Sequence, residues 1–244
     1  MISKLENKEI KIEVESDGAQ LQKLILKKDN KNYLWHGDSE YWGRRAPVLF
    51  PIVGRLKDDR YFYDGQKYKM TQHGFARDKE FELVEQSKNH LTYVLEESEA
   101  TLEKYPFRFR LEIKYTIEEN SLDISYRVVN QDHQEIYFSV GAHPAFYWPL
   151  SEGENKEDYY LEFEKKEKAD KYLLESGLLN HQTENLLNNS KILKLQPEIF
   201  KDDALVFKDL KSEKVTLKSN KSEREVEVEF KNFQIESIRN DYRK

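Results

Sequence analysis

The sequence predicts an all-β protein built as a large sandwich of antiparallel sheets. Along most of the chain, apolar and charged residues alternate with a period of two, which is typical of strands with one buried and one solvated face. Segments with helical periodicity are short and few. Aromatic residues make up 13% of the 244 residues, which argues against the disorder that a charged fraction of 35% alone would indicate. We expect one domain over residues 1–244.

The clearest alternation predicts a long antiparallel hairpin. Apolar residues occupy every second position from Phe107 to Ile117, and the pattern resumes from Leu122 to Val128 after a turn at residues 119–121. Shorter segments with the same alternation predict further strands at residues 10–14, 91–95, 136–140, 161–163, 205–207, 215–217 and 226–230.

Three other segments predict different local structure. Ser98 to Tyr105 is expected to form a short helix, with Ser98 as its N-cap and Pro106 ending it. Residues 199–203 are expected to form a further helical turn. Residues 165–192 mix charges with asparagines, and we expect them to wrap the surface as a long insertion.

Composition and charge exclude several classes of protein. The absence of cysteine excludes disulfide scaffolds, iron–sulfur clusters and thiol nucleophiles, and it fits a reducing compartment. A net charge of −6 with interspersed signs argues against a nucleic-acid partner. No apolar signal-peptide core is visible at the N-terminus, and the longest apolar stretch, residues 47–53, is too short to span a bilayer. We therefore expect a cytoplasmic protein that contacts neither membrane nor nucleic acid.

The first segment that breaks the alternation is residues 41–56, which contain aromatic residues, two prolines, two glycines and three arginines. This composition favours a specific, non-repeating backbone path. Arg55 follows Gly54 at the end of an apolar run, and an arginine that leaves apolar surroundings usually meets a ligand or a carboxylate. The alternative is a buried loop in which Arg44 and Arg45 are simply solvated.

Two histidines lie in the other segments that break the alternation. His73, in QHGFAR at residues 72–77, lies in a turn, and a lone histidine is more often structural than catalytic, so both roles stay open. His143, in SVGAHPAFYWP, follows the strand expected to end at Val140, and its flanking Gly and Pro favour the rigid position that catalysis requires. Three aromatic residues follow it, Phe146, Tyr147 and Trp148. Their rings belong either to the core or to a surface that stacks on the apolar face of a sugar.

Neither a metal nor a cofactor is expected. The six histidines show no HxH or HExxH spacing, so a metal site is unsupported. The glycine-rich phosphate and dinucleotide motifs are absent, as is the nucleophile elbow of hydrolases.

Four motifs follow one another along the chain: APVLFPIVGRL at 46–56, HGFARD at 73–78, GAHPAF at 141–146 and FKDDALVFKDLKSEKVTLKS at 200–219. Together they resemble the aldose 1-epimerase (galactose mutarotase) family, and most closely its LacX-like branch. The resemblance extends from Ile10 to Phe233. It implies a galactose mutarotase-like β-supersandwich with an open sugar-binding cleft. It also implies an isomerase of carbohydrate metabolism that interconverts the α and β anomers of a hexose without metal or cofactor.

The resemblance also implies roles for individual residues. His143 matches the acid that protonates the ring oxygen of the sugar, and an imidazole exchanges protons near neutral pH, as that role requires. His73 and Arg55 match the residues that hold sugar oxygens. Asp203 matches the aspartate that hydrogen-bonds a ring hydroxyl, with Asp202 as the alternative one position earlier.

The glutamate base of the family has no clear counterpart here. In the family it precedes a Pro–Trp segment, downstream of the stretch that reads VEVEFKNF in this chain, whereas this sequence continues as QIESIRNDYRK. Glu236 is the only downstream glutamate, and its flanks do not match. We therefore expect a chain truncated or altered after Phe233, with residues 233–244 as an atypical tail and the final strands missing. The expected consequences are weak or absent activity, marginal stability and an uncovered sheet edge that favours a homodimer.

Two other functions remain open at this point. A non-catalytic carbohydrate-binding module would use the same cleft. A hexose-phosphate epimerase would use arginines as a phosphate clamp, and the candidates are Arg44, Arg45, Arg55 and Arg77. A polysaccharide hydrolase or lyase is less favoured, because no convincing carboxylate pair is visible.

Overall fold

The computed structural model describes residues 1–201, 204–231 and 237–238. Two compact units divide the chain, one over Met1–Phe146 and one over Tyr147–Lys244. Both consist mainly of antiparallel strands, which confirms the predicted all-β class. Among the described residues, no helix has the length and apolar character needed to cross a bilayer.

Twelve strands are described in the first unit. They form two four-stranded sheets, ordered β1-β2-β3-β4 and β11-β10-β9-β8, and the two-stranded pairs β5-β12 and β6-β7. Their bounds are β1 Ile2–Glu6, β2 Ile10–Glu15, β3 Gln20–Leu26, β4 Lys31–Asn32, β5 Val48–Leu49, β6 Arg60–Tyr63, β7 Gln66–Lys69, β8 Glu82–Gln86, β9 His90–Glu96, β10 Phe109–Glu118, β11 Ser121–Asn130 and β12 Gly141–Ala142.

The predicted long hairpin is confirmed as β10 and β11. Its register runs from the pair Phe109 and Asn130 to the pair Glu118 and Ser121. Along β10, buried and partly exposed positions alternate as the sequence predicts. Each large apolar side chain buried in this way contributes about 1.5–3 kcal/mol, so the strand is held mainly by one face.

The two four-stranded sheets of the first unit share one hydrophobic core. Two buried phenols of one sheet also reach the other: the Tyr115 hydroxyl donates to the carbonyl of Ala19 at 2.6 Å, and the Tyr93 hydroxyl donates to the carbonyl of Val14 at 3.4 Å. Burial raises the pKa of both phenols, so they stay protonated donors. This pairing of sheets is the predicted sandwich arrangement within the first unit.

The predicted short helix is confirmed, although it ends earlier. Helix α1 spans Glu99–Leu102, and Ser98 caps it by accepting a hydrogen bond from the amide of Thr101. Thr101 returns a bond to the amide of Ser98, which completes a capping box. The residue before a proline avoids helical geometry, so the helix ends before Tyr105, which is buried.

The strand predicted at residues 136–140 is wrong. This segment pairs in no ladder, and the strand-like pairing begins only at β12, where Gly141 lies opposite Leu49. The segment that lies beside it explains the difference, because Pro51 in that segment has no amide hydrogen to donate. Between Ser139 and Pro51 the amide of Ser139 donates to the carbonyl of Pro51 at 2.9 Å, and proline cannot return the second bond of a ladder pair.

The second unit contains the other six strands. Five follow the order β17-β16-β13-β15-β18, and β14 pairs with β13. Their bounds are β13 Tyr159–Glu175, β14 Leu178–Lys194, β15 Leu205–Val206, β16 Lys214–Ser219, β17 Glu225–Glu229 and β18 Ser237–Ile238. A 3₁₀ turn at Pro197–Phe200 begins two residues before the predicted turn, whose last residue, Asp203, lies outside the described residues.

The expectation that residues 165–192 wrap the surface is wrong, because most of them belong to the hairpin of β13 and β14. The two strands join through Ser176 and Gly177, both with positive φ, as a tight hairpin turn requires. Charged side chains at inward positions hide the alternation. Glu167 is 2% exposed and Lys171 is 3% exposed, and each is satisfied by polar partners.

Candidate functional site

Two histidines that are distant in sequence lie side by side in the first unit. The ring centroids of His73 and His143 are 6.0 Å apart, and their planes are inclined by 79°. Both side chains are half-buried, so they are held by the fold and reached from solvent. An imidazole both donates and accepts protons near neutral pH, so this pair can take part in proton transfer.

His143 is positioned by the pairing of β12 with β5. Its amide donates to the carbonyl of Pro47 at 3.2 Å, directly after the ladder pairs of Gly141 and Ala142. Gly141 lies close to its neighbours, since a Cβ there would be 3.0 Å from Cγ2 of Val53. The backbone on both sides of β12 is therefore fixed, and the predicted rigid position of His143 agrees with this geometry.

Trp42 packs against His143. Their ring centroids are 4.8 Å apart, with planes inclined by 35°. The carbonyl of Trp42 accepts a hydrogen bond from Nε1 of Trp35 at 2.8 Å, which anchors the Trp42 backbone. The sequence does not single out Trp42, although it lies in the unusual segment 41–56.

His73 lies in a loop with left-handed backbone geometry. Its φ is 67° and that of Gly74 is 72°. A Cβ at Gly74 would be 2.2 Å from the carbonyl oxygen of Phe50, so only glycine fits. The same oxygen accepts hydrogen bonds from the amides of Phe75 at 3.0 Å and Ala76 at 3.1 Å. The HGFA segment is thereby fastened to the segment that contains Arg55.

Arg55 forms a two-pronged ion pair with Asp59. Its Nε donates to Oδ1 at 2.8 Å and its Nη2 donates to Oδ2 at 3.0 Å. The hydrogen bond raises the pKa of the guanidinium and lowers the pKa of the Asp59 carboxyl. The Arg55 side chain is 40% exposed, so the pair lies at the surface. A carboxylate is one of the two partners that the sequence predicts for this arginine.

Arg44 and Arg77 share one carboxylate. Nη2 of Arg44 donates to Oδ1 of Asp78 at 2.6 Å, whereas Nε of Arg77 lies 3.9 Å from Oδ2. Nη2 of Arg77 donates to the carbonyl of Gln72 at 2.8 Å, next to His73. Burial, and then the charge of Arg44, lower the pKa of Arg77. Two cations and one anion leave an excess positive charge here.

The remaining predicted residues are placed elsewhere or are not described. Asp203, its alternative Asp202 and Glu236 lie outside the described residues. Phe146 forms a bridge with Leu34 in the first unit. In the second unit, Trp148 donates from Nε1 to the carbonyl of Lys156 and packs near Phe200. In the first unit, Nη1 of Arg45 donates to Oε1 of Gln22.

Over the described ranges, no group of three or more His, Cys, Asp or Glu side chains is arranged to hold a metal ion. The chemistry that these residues offer is proton transfer by imidazoles and hydrogen bonding by guanidinium groups.

The family profile described as aldose 1-epimerase matches residues 1–235. The chain belongs to the aldose 1-epimerase family. The plasmid-encoded protein LacX of Lactococcus lactis subsp. lactis is 38% identical over 243 residues, covering 96% of this chain and 81% of that protein. These matches confirm the resemblance that the four motifs indicate.

Solved structures of similar proteins support the fold. A galactose mutarotase related enzyme from Lactobacillus acidophilus is 36% identical, with a TM-score of 0.88 over 93% of this chain and 76% of that one. A galactose mutarotase-like protein from Lactobacillus casei is 29% identical, with a TM-score of 0.89 over 96% of this chain and 80% of that one. The predicted galactose mutarotase-like β-fold of this aldose 1-epimerase family member is therefore confirmed.

Proposed function

We propose that this chain is an isomerase that binds a hexose beside His143, His73 and Arg55 and interconverts its α and β anomers. The observation that carries the proposal is the pair of imidazoles with ring centroids 6.0 Å apart. One supplies a proton and the other a hydrogen bond to neighbouring oxygens of one sugar ring. Asp203 is proposed as a further contact to a ring hydroxyl, by resemblance.

The reaction needs only proton transfers. His143 gives a proton to the ring oxygen while the anomeric hydroxyl loses its proton to a base, so that the bond from C1 to the ring oxygen breaks and the C1 carbonyl forms. Rotation about the C1–C2 bond and the reverse transfers close the ring as the other anomer. His143 regains its proton on closure, so the protein is unchanged after each turnover.

The resemblance gives the role of base to a glutamate. No glutamate among the 244 residues stands in the context that the resemblance gives for the base, and Glu236 lies outside the described residues. A general base typically contributes about 10²–10⁴-fold to a rate. We therefore expect a polypeptide of these 244 residues to exchange anomers more slowly than a relative with its glutamate by about that factor.

NMR exchange spectroscopy on D-galactose and D-glucose tests the proposal. We expect exchange between the anomers that is faster than in buffer and that the His143→Gln variant loses. Saturable hexose binding with exchange no faster than in buffer would instead favour the carbohydrate-binding module.

The excess positive charge at Arg44 and Arg77 favours a phosphorylated hexose as a second candidate substrate. The exposed fraction is 34% for the side chain of Arg44 and 19% for that of Arg77, and both guanidinium groups meet at Asp78. Arginine binds phosphate through paired, charge-assisted hydrogen bonds.

Comparing galactose 6-phosphate with galactose tests this second candidate. A bond to a charged group contributes about 1.5–3 kcal/mol, so we expect the phosphorylated sugar to bind about 10–100-fold more tightly. Arg44→Ala should remove this preference. Arg127→Ala is the matched control, because Arg127 lies on β11 and its side chain is 71% exposed. Equal affinity for the two sugars would exclude the phosphate preference.

A further inference from the structure

Gly54 and His73 are joined by two hydrogen bonds that run in opposite directions. The amide of His73 donates to the carbonyl of Gly54 at 2.7 Å. The amide of Gly54 in turn donates to Nδ1 of the His73 ring at 3.0 Å. We call this pair of bonds the Gly54 clasp. It joins backbone to backbone and backbone to side chain at the same two residues.

The second bond decides where the imidazole carries its proton. A ring nitrogen that accepts a hydrogen bond from an N–H group uses its lone pair and carries no hydrogen. A neutral imidazole has one protonated and one unprotonated nitrogen, so an accepting Nδ1 requires a proton on Nε2. We propose that the Gly54 clasp fixes His73 as its Nε2–H tautomer, so that His73 serves the hexose as a hydrogen-bond donor and not as the base.

Backbone hydrogen bonds on both sides of the Gly54 clasp hold it in place. On one side, the carbonyl of Phe50 accepts the amides of Phe75 and Ala76, which follow His73 closely. On the other side, the amide of Met70 donates to the carbonyl of Asp59 at 2.9 Å. The segments that carry Arg55 and His73 are thus tied together at two places, and the ring is kept against the amide of Gly54.

The same geometry opposes a role as base. For Nε2 to take a proton from the sugar, its own hydrogen would first have to leave, and the neutral ring would then carry its hydrogen on Nδ1. A hydrogen on Nδ1 would face the N–H of Gly54, so that two donors meet and a hydrogen bond is lost. The tautomer follows from the clasp alone, whereas the donor role rests on the proposed hexose-binding function.

The tautomer is measured directly by NMR on protein labelled with ¹⁵N-histidine. His73→Gln identifies the His73 signals by their loss. We expect an unprotonated Nδ1 and a protonated Nε2 in the sugar-free protein, and a shift of the Nε2–H signal when D-galactose is added. An Nδ1–H tautomer, or rapid averaging of the two forms, would overturn the inference and leave the proposed function standing. A correct tautomer without any response to D-galactose or D-glucose would overturn the donor role together with the proposed function.

Two variants test the roles of Nδ1 and Nε2 of His73 separately. His73→Asn offers a carbonyl oxygen to the amide of Gly54 but no donor at the position of Nε2. His73→Gln reaches that position with an amide N–H₂. We expect His73→Asn to weaken galactose binding about tenfold, the loss of about one hydrogen bond, and His73→Gln to weaken it less. Amide spectra show whether each variant is folded. Wild-type affinity in a folded His73→Asn variant would overturn the donor role.

Discussion

At the scale of single residues, Gly74 lies where a side chain would strike the backbone of Phe50. Its φ is 72°, and a Cβ would lie 2.2 Å from the Phe50 carbonyl oxygen. Gly65 has the same φ of 72° but nothing within 4 Å of a Cβ, so Gly65→Ala is a matched control for backbone strain alone.

The Gly74→Ala variant is therefore expected to lose more stability than the control. Left-handed geometry costs a residue with a Cβ about 1–2 kcal/mol, and the collision with Phe50 adds to this. We expect Gly65→Ala to lower the free energy of unfolding by about 1 kcal/mol and Gly74→Ala by about 3 kcal/mol. Denaturant titration measures both. Equal losses would show that the left-handed backbone alone, and not the collision with Phe50, requires a glycine at position 74.

The contribution of the Arg55–Asp59 ion pair to folding stability is expected to depend on pH. Because pairing lowers the pKa of Asp59, its contribution to stability is complete above the usual carboxyl value of 3.8 and is lost as the pH falls through the lowered value. Asp59→Asn removes this contribution while keeping a residue that tolerates the φ of 50° at this position.

We expect the melting temperature of Asp59→Asn to fall below that of the wild-type chain at neutral pH. The difference should shrink as the pH falls below about 4 and disappear once the pH is below the lowered pKa of Asp59, because the wild-type carboxylate is then protonated too. A difference that persists or grows in acid would contradict the ion pair.

Sequence reasoning at this scale depends on how a residue departs from its surroundings. His73, His143 and Arg55 stand out because each is an ionisable side chain in a segment without alternation. Trp42 and Gly54 do not stand out, since their contacts with the histidines form only when distant segments close on each other. Close pairings of this kind arise from tertiary structure and leave no local pattern.

At the scale of elements, the buried carboxylate of Glu167 fastens β13 to the loop that precedes β16. Its Oε1 accepts from the amide of Ser212 at 2.8 Å and from the Ser212 hydroxyl at 2.6 Å, and the amide of Lys211 adds a third bond at 3.1 Å. Removing the carboxylate would leave buried donors unsatisfied.

We therefore expect Glu167→Ala to lower the free energy of unfolding by about 2–4 kcal/mol. Lys168→Ala, at an exposed neighbouring position of the same strand, should change it by no more than about 0.5 kcal/mol. Thermal or denaturant unfolding measures the two variants side by side. If Glu167→Ala behaved like Lys168→Ala, the carboxylate would not hold this loop.

The elements that sequence predicts well are those whose burial follows one simple rule. The hairpin of β10 and β11 and the cap of α1 are predictable because apolar alternation and capping chemistry act within short segments. The hairpin of β13 and β14 is missed because Glu167 and Lys171 point inward, where the rule expects apolar residues. Residues 136–140 show the converse case. Their alternation predicts a strand, but the adjacent segment contains Pro51, which cannot donate the hydrogen bond that a ladder needs.

At the scale of the whole molecule, the order of four motifs predicts the family, and the family profile over residues 1–235 confirms it. Single-domain organisation, a cytoplasmic location and a homodimer stay predictions. Three of the proposed site residues, Arg55, His73 and His143, lie in the first unit, whereas Asp203 belongs to the second and falls outside the described residues.

The rate of anomer exchange in a hexose, measured by NMR, tests the central claim most directly. For a polypeptide of these 244 residues we predict exchange faster than in buffer but about 10²–10⁴-fold slower than that of an active family member. The His143→Gln variant should fall to the buffer rate. The His133→Gln variant, which changes an exposed histidine of the same unit, should match the wild type. Wild-type exchange at the buffer rate, or exchange that survives the loss of His143, would contradict the account.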